Sequence, residues 1–324
     1  MKSKFATTIA AVIAFTTCAQ AAQRPDADTA SYPTRPIRII VPQAPGGSND
    51  IMARYVGGVL SERLGKQVVV DNRPGADGMI GTDIVAKAAP DGYTMLMAST
   101  AFTMNPAVIS KLPYDPLKNF DFVATFGKAP VVITVGPSVA GSLKDLLTLA
   151  RSKPGYITMA SAGGFMHFVS AMFRSQAKMD ATIALYKGGA PALTDVLGGH
   201  AHMAVATMVT VNPYLKGGKL KALAVGSPKR LSVLPDVPTA TEAGLPYEAS
   251  IWWAWSTASG TPAPLLNKLN TEIAAILKLP ETQKRFAAEA AEVEIRKPAE
   301  IREMIKVDLV KWEKVAADAK MPKQ

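Results

Sequence analysis

Two short turns rich in glycine contain the residues of this sequence that are best suited to chemistry. The first glycine turn, residues 45–50, is Pro-Gly-Gly-Ser-Asn-Asp, and the second glycine turn, residues 161–164, is Ser-Ala-Gly-Gly. Each follows an apolar, β-branched run and precedes a helical pattern. The first N–H groups of a helix lack partners within it and can bind a carboxylate or a phosphate. The alternative is an ordinary strand-to-helix turn, with Ser48, Asn49 and Asp50 as helix caps.

The spacing of apolar residues around these turns predicts alternating strands and helices. Before residue 100 the order is strand, helix, strand, helix, strand, at 37–41, about 49–64, 66–71, about 79–88 and 93–98. After residue 130, strands are predicted at 131–135, 157–160, 181–186, about 203–207 and 220–225, and helices at 142–153, from 164 onward and at 190–197. Ligands of parallel sheets lie beyond the carboxyl ends of strands, so we expect the polar residues after these strands to meet at one rim.

This alternation predicts an α/β protein of two lobes, each a mostly parallel sheet flanked by helices. The 48% hydrophobic residues in a chain of 324 are enough for two medium cores. We assign residues 32–130 together with 248–324 to lobe 1 and residues 131–247 to lobe 2. Helices in the last third have apolar residues at core spacing, at Leu266, Leu269, Ile273 and Ile276. One glycine turn on each lobe suggests a hinged clamp that closes on its ligand.

The N-terminus has the features of a secretory signal peptide over residues 1–21. Lys2 and Lys4 precede a short apolar region, and Ala-Gln-Ala at 19–21 is a small-residue cleavage signal. Residues 22–31 are small, polar and aperiodic, so we expect a disordered leader. The only cysteine, Cys18, precedes the cleavage point, and the exported protein would therefore hold no disulfide and no thiolate zinc site. Lipidation of Cys18 is disfavoured by the Phe-Thr-Thr that precedes it.

The charge of the chain does not indicate a nucleic-acid partner. Its formal net charge is +10, and removal of the signal peptide would lower it by two. The lysines and arginines are scattered, whereas nucleic-acid binding would favour a basic stripe with stacking aromatic residues. A positive field still attracts anionic ligands.

Several segments, taken together, resemble the substrate-binding proteins of tripartite tricarboxylate transporters, the Bug receptor family. The motifs include Asn-Arg-Pro-Gly-Ala at 72–76, Pro-Asp-Gly-Tyr-Thr at 90–94, Tyr-Lys-Gly-Gly-Ala-Pro at 186–191 and Leu-Pro-Asp-Val-Pro-Thr at 234–239, besides residues 32–42 and the first glycine turn. The resemblance implies a two-lobed periplasmic binding protein, type II-like, that closes on a small carboxylate. It also implies a monomer without cofactor or catalysis that delivers its ligand to the membrane subunits of the transporter.

The resemblance also implies which residues contact the ligand. On lobe 1 these are Gln43, Gly46, Gly47, Ser48, Asn49, Asp50, Ser99, Thr100 and Asn105. On lobe 2 they are Ser161, Ala162, Gly163, Gly164, Phe165, His167, Gly189 and Thr207.

Some positions depart from the family pattern. Gln43 stands where members commonly have an aromatic residue, and Ala206 stands at a commonly acidic position. The lost acid argues against amino-acid ligands. Phe165, together with Trp252, Trp253 and Trp255, adds aromatic bulk, which favours an apolar or aromatic carboxylate. Trp252 and Trp253 are equally compatible with hinge or core packing.

Alternative functions are weaker but remain open from the sequence. A receptor that feeds a signalling protein would bind its ligand equally well. An exported hydrolase would need a nucleophile and a base, for which Ser161 and His167 are candidates, but Ser161 is more simply a helix cap. His200 and His202 could share one face of a strand as two metal ligands, yet a metal site needs further ligands beside them.

Overall fold

A computed structural model describes residues 31–318 and residue 323. The predicted signal peptide, Cys18 and all of the predicted leader except Ser31 lie outside these described residues.

The described residues fold into alternating strands and helices. The first part comprises β1 Ile37–Val41, α1 Ser48–Leu64, β2 Val68–Asn72, α2 Met79–Ala86, β3 Thr94–Ser99 and α3 Thr100–Val108. The middle part comprises β4 Phe120–Val135, α4 Leu143–Ser152, β5 Ile157–Ser161, α5 Gly164–Gln176, β6 Ala181–Leu185, α6 Gly189–Leu197, β7 Met203–Thr207, α7 Met208–Lys216 and β8 Lys221–Val225. The last part comprises β9 Ser250–Ala258, α8 Ala263–Leu277, α9 Pro280–Ala288 and α10 Pro298–Asp318.

The strands form one mixed sheet in the order β2-β1-β3-β9-β4-β7-β5-β6, with β8 also paired to β4. The outer pairings, β1 with β2 and β3 and β5 with β6 and β7, are parallel as expected. The central pairings of β4 and β9 are all antiparallel, which corrects the expectation of mostly parallel sheets. Two parallel groups of strands are therefore joined through an antiparallel centre.

Strand β4 connects the two halves of the sheet. Residues 120–130 pair with β9, whereas residues 131–135 pair with β7 and β8. The sequence predicted only the second of these segments as strand, since Gly127, Lys128 and Pro130 interrupt the apolar pattern of the first. The register of β4 against β9 shifts at two points within that first segment. The assignment of residues 32–130 and 248–324 to one lobe stays a prediction.

The C-terminal helices pack on both halves. The predicted apolar positions of α8 are buried, and Trp253 and Trp255 on β9 are fully buried in the same core. On α10, Trp312 is 3% exposed and lies edge-on to Phe165 and Phe168 of α5, with ring centroids 5.7 and 5.4 Å away. Helix α10 also packs on α3, so it bridges the two halves.

Within residues 31–318, no helix has both the length and the apolar character needed to cross a bilayer.

The Trp312 contact predicts a large loss of stability on truncation. Trp312→Ala would remove a buried ring from the α10–α5 contact and is expected to lower the free energy of unfolding by about 3 to 5 kcal/mol. Val310→Ala, at a position of the same helix that is 69% exposed, should change it by less than about 0.5 kcal/mol. Urea denaturation measures both; equal effects would contradict the assigned packing.

Candidate ligand-binding site

A cavity of about 440 Å³ lies between the two halves of the sheet. The turns after β1, β2 and β3 contribute residues to one part of its wall. Residues that follow β5, β6 and β7 contribute to another part. The cavity therefore lies beyond the carboxyl ends of six strands, at the rim that the sequence predicted.

Six helices begin at the wall of this cavity. Their N-cap residues are Gly47 of α1, Gly78 of α2, Ser99 of α3, Gly163 of α5, Gly188 of α6 and Thr207 of α7, and all six line the cavity. None of these N-cap residues uses its own side chain to cap its helix. By contrast, α4 begins away from the cavity and is capped by Ser142, whose Oγ accepts a hydrogen bond from Asp145 N at 3.1 Å.

This arrangement gives the cavity a positive potential with little help from basic side chains. The N-terminus of a helix carries about half a positive elementary charge, and its first-turn N–H groups have no partner within the helix. Six such termini at one wall favour an anion that accepts several hydrogen bonds at once. The site is therefore suited to a carboxylate.

The two lobes approach each other closely beside the cavity. A Cβ atom built on Gly188 would lie 2.9 Å from Ala44 Cβ, and one built on Gly189 would lie 3.8 Å from Gly47 Cα. Gly188 also has φ 139°, which L side chains rarely adopt. Glycine at residue 188 thus permits the close approach of the N-termini of α1 and α6.

A chain of hydrogen bonds fixes the orientation of the Gln43 side chain. The Trp253 indole N–H, which can only donate, donates to Asn49 Oδ1 at 2.9 Å. Asn49 must then present Nδ2, which donates to Gln43 Oε1 at 2.5 Å and to Ser99 Oγ at 3.1 Å. Gln43 Nε2 is left without a partner among the described residues. Since Gln43 lines the cavity, its amide presents a donor there.

Asp50 braces the first glycine turn and does not line the cavity. Its Oδ2 accepts a hydrogen bond from Gly46 N at 3.0 Å, and its Oδ1 lies 2.9 Å from Arg54 Nη2. Burial alone would raise the pKa of Asp50, but the bonds from Arg54 and the Gly46 amide bring that pKa below its ordinary value. The proposed helix caps were also wrong, because Gly47 is the N-cap and the three polar residues lie inside the first turn.

Most of the predicted contact residues lie at the cavity. Those that line it are Gln43, Gly47, Ser48, Asn49, Ser99, Ala162, Gly163, Gly164, Phe165, Gly189 and Thr207. Those outside its wall are Gly46, Asp50, Thr100, Asn105, Ser161 and His167.

The residues outside the wall support those that form it. Thr100 Oγ1 accepts a hydrogen bond from Trp252 N at 3.0 Å, and Asn105 Nδ2 donates to the Asp77 carbonyl at 3.0 Å. Trp252 donates its indole N–H to Asp308 at 2.7 Å. Neither Trp252 nor Trp253 lines the cavity. Their hydrogen bonds instead fix β9 behind the cavity wall.

Sequence reasoning missed two charged residues of the wall, Asp77 and Lys187. Lys187 belongs to a motif that the sequence analysis had identified, directly before Gly188 and Gly189. Asp77 lies in a short 3-10 turn between two glycines, a segment that the sequence predicted to be only a turn into the next helix. Apolar residues that form much of the wall were missed as well; they include Ala160, Ala192, Leu193, Val205 and Ile251.

The histidines do not form the arrangements considered above. His200 and His202 lie in the bend before β7, and His202 Nδ1 accepts a hydrogen bond from Thr158 N at 3.0 Å. Ser161 Oγ and His167 Nδ1 are buried and have no hydrogen-bond partner in the described structure, so they are not bonded to each other. Burial lowers the pKa of His167.

Comparison with known proteins identifies the family. Residues 52–320 match the model of the tripartite tricarboxylate transporter family receptor. The chain belongs to this receptor family. BugT of Bordetella pertussis is 36% identical to it over 292 residues, which cover 88% of this chain and 89% of BugT.

Solved structures of receptors have the same fold. A Rhodopseudomonas palustris protein solved with adipate is 30% identical, with a TM-score of 0.87, covering 90% of this chain and 100% of that one. MatC of R. palustris, solved with bound malate, is 29% identical, with a TM-score of 0.82, covering 88% and 99%. The family resemblance and the two-lobed α/β fold expected from the sequence are confirmed.

The role of Asp50 predicts a pH-dependent stability. Asp50→Asn removes the charge that holds Gly46 and Arg54, and at pH 7 it should lower the free energy of unfolding by about 1 to 3 kcal/mol. Because the pKa of Asp50 is lowered by folding, its contribution is present above its unfolded pKa of about 3.9 and is lost as the pH falls through the folded pKa. The difference between the proteins should therefore shrink below about pH 4.

Denaturation curves between pH 3 and pH 7 measure this difference. Glu303→Gln, which breaks an exposed pair with Lys306, serves as the control and should cost less than about 0.5 kcal/mol. A difference for Asp50→Asn that does not change with pH would contradict the role of its charge.

Proposed function

We propose that this receptor encloses a small organic carboxylate between its lobes and delivers it to the membrane subunits of a tripartite tricarboxylate transporter. The observation that carries the proposal is the meeting of six helix N-termini at one cavity. The adipate and malate in the solved relatives are small carboxylates as well. The contact residues named above that line the cavity are proposed to bind the ligand.

The apolar part of the wall favours a ligand with an apolar or aromatic body. Phe165, Leu193 and Ile251 line the cavity together with several alanines. Ala206, also in the wall, offers no acid to pair with an amino group. The backbone N–H groups would hold the carboxylate while the apolar residues cover the rest of the ligand.

We further propose that the protein acts in the periplasm as a monomer, after export and cleavage near Ala21. Lys2, Lys4 and the short apolar region of the N-terminus support export. The ligand is released unchanged in this account, since Ser161 and His167 do not form a nucleophile and base pair and neither lines the cavity.

Binding of a carboxylate should stabilise the folded protein. A ligand at a hundred times its dissociation constant adds about 2.7 kcal/mol to the free energy of unfolding. We expect at least one member of a panel of apolar and aromatic carboxylates to raise the melting temperature, while the corresponding alcohols or primary amides do not. Thermal denaturation with and without each compound measures this, and a panel without any shift would contradict the proposal.

Gln43 should contribute to affinity through its Nε2 donor. Gln43→Leu removes the donor and is expected to weaken carboxylate binding about tenfold. Gln43→Glu keeps the acceptor that faces Asn49 but directs a carboxylate oxygen at the ligand, so the loss should be larger. Titration calorimetry measures both, with the exposed Gln67→Glu as a control that leaves the cavity unchanged. Unaltered affinity in both Gln43 variants would exclude this contact.

A further inference from the structure

The cavity wall contains two residues of opposite charge type. Of the described residues that line it, Asp77 is the acidic one and Lys187 the basic one. Lys187 directly precedes Gly188 and Gly189, where the N-terminus of α6 meets that of α1. Asp77 lies beside the N-termini of α2 and α5.

Asp77 places a carboxylate of the protein on an anion-binding helix terminus. Its Oδ1 accepts a hydrogen bond from Gly164 N, the first residue of α5, at 3.0 Å. This bond joins the turn after β2 to the turn after β5. The second glycine turn is thus already bonded to a carboxylate of the protein.

The backbone around Asp77 holds its side chain in this place. Asp77 has φ 51°, in the left-handed region that aspartate tolerates better than most residues. Its carbonyl oxygen accepts the hydrogen bond from Asn105 of α3, which fixes the turn against lobe 1. Among residues 31–318, no lysine or arginine forms an ion pair with Asp77, and the terminus of α5 donates a hydrogen bond to its carboxylate.

A second ligand carboxylate beside Asp77 would meet a like charge. Repulsion between two carboxylates a few ångströms apart in a partly desolvated site is substantial, and here no lysine or arginine pairs with Asp77 to offset it. The N-termini of α1 and α6, which meet beside the cavity, carry no side-chain cap and can bind one carboxylate. Charge alone thus distinguishes a ligand with one carboxylate from a ligand with two.

We propose that Asp77 is a specificity residue that substitutes for a second ligand carboxylate, so that this receptor selects monocarboxylates over dicarboxylates of the same length. The proposal rests on the proposed function and narrows its ligand class. The ligand carboxylate lies at the meeting helix N-termini beside Gly47 and Gly189, and its uncharged end faces Asp77.

Matched pairs of ligands test the proposal. Calorimetric titrations compare butyrate with succinate, hexanoate with adipate and benzoate with terephthalate, each pair sharing one body. In the wild-type protein the monocarboxylate of a binding pair should bind about tenfold or more tightly than its dicarboxylate. A tighter binding of the dicarboxylate in the wild-type protein would overturn the proposal while leaving the proposed function intact, whereas a failure of every pair to bind would overturn both.

Two substitutions at Asp77 separate its charge from its hydrogen bond. Asp77→Asn keeps an acceptor for Gly164 N but removes the charge, and Asp77→Gly removes both while suiting the positive φ. If charge selects the ligand, both variants should improve dicarboxylate binding about tenfold and leave monocarboxylate binding within about threefold. Asp180→Asn, an exposed change of equal charge outside the cavity, should leave the ratio unchanged. An unchanged ratio in Asp77→Asn would overturn the proposal.

Discussion

Six helix N-termini meet at one cavity, and the strands of the sheet hold them in that position. Each of the six helices follows a strand whose carboxyl end points to the cleft, from β1 to α1 through β7 to α7. Helix α4 follows β4, which is antiparallel to β7, and it begins elsewhere with a side-chain cap. At the cavity, the terminus of α5 is bonded to Asp77 and the other five carry no side-chain cap, whereas the terminus of α4, away from the cavity, is capped by Ser142. Backbone dipoles thus provide most of the positive potential of the site.

The antiparallel centre of the sheet makes this convergence possible. Strand β4 belongs to both halves, and β9 returns beside it, so two parallel groups of strands face one another across a shared centre. The same centre fixes the polar wall, because Trp253 of β9 orients Asn49 and, through it, Gln43. A residue of the hydrophobic core thereby determines which atom of a cavity side chain meets the ligand. The hydrogen bonds from Trp253 to Asn49 and from Asn49 to Gln43 thus link the packing of the core to the choice of ligand.

Local patterns in the sequence predicted much of this structure. Strands β1, β5 and β7 and the glycine turns were recognisable because apolar runs and turn residues act within a few positions of one another. The first part of β4 and all of β9 were missed, since their strand character depends on mutual pairing across more than a hundred residues. Asp77 was missed for a similar reason: its partner, Gly164, lies 87 residues further along the chain. Asp50 was predicted to contact the ligand, but its carboxylate instead binds Gly46 N and Arg54. Residue spacing alone does not show whether a carboxylate faces a ligand or the protein's own groups.

The most direct test of the account is an NMR titration of the ¹⁵N-labelled protein with the carboxylate that binds most tightly. Hydrogen bonding of the carboxylate to the open helix termini predicts downfield shifts of the backbone amide protons of Ser48, Asn49 and Gly189, which saturate together with binding. Shifts confined to side chains or to amides outside the first turns of the six helices would contradict the central claim, because the ligand would then be held by other groups.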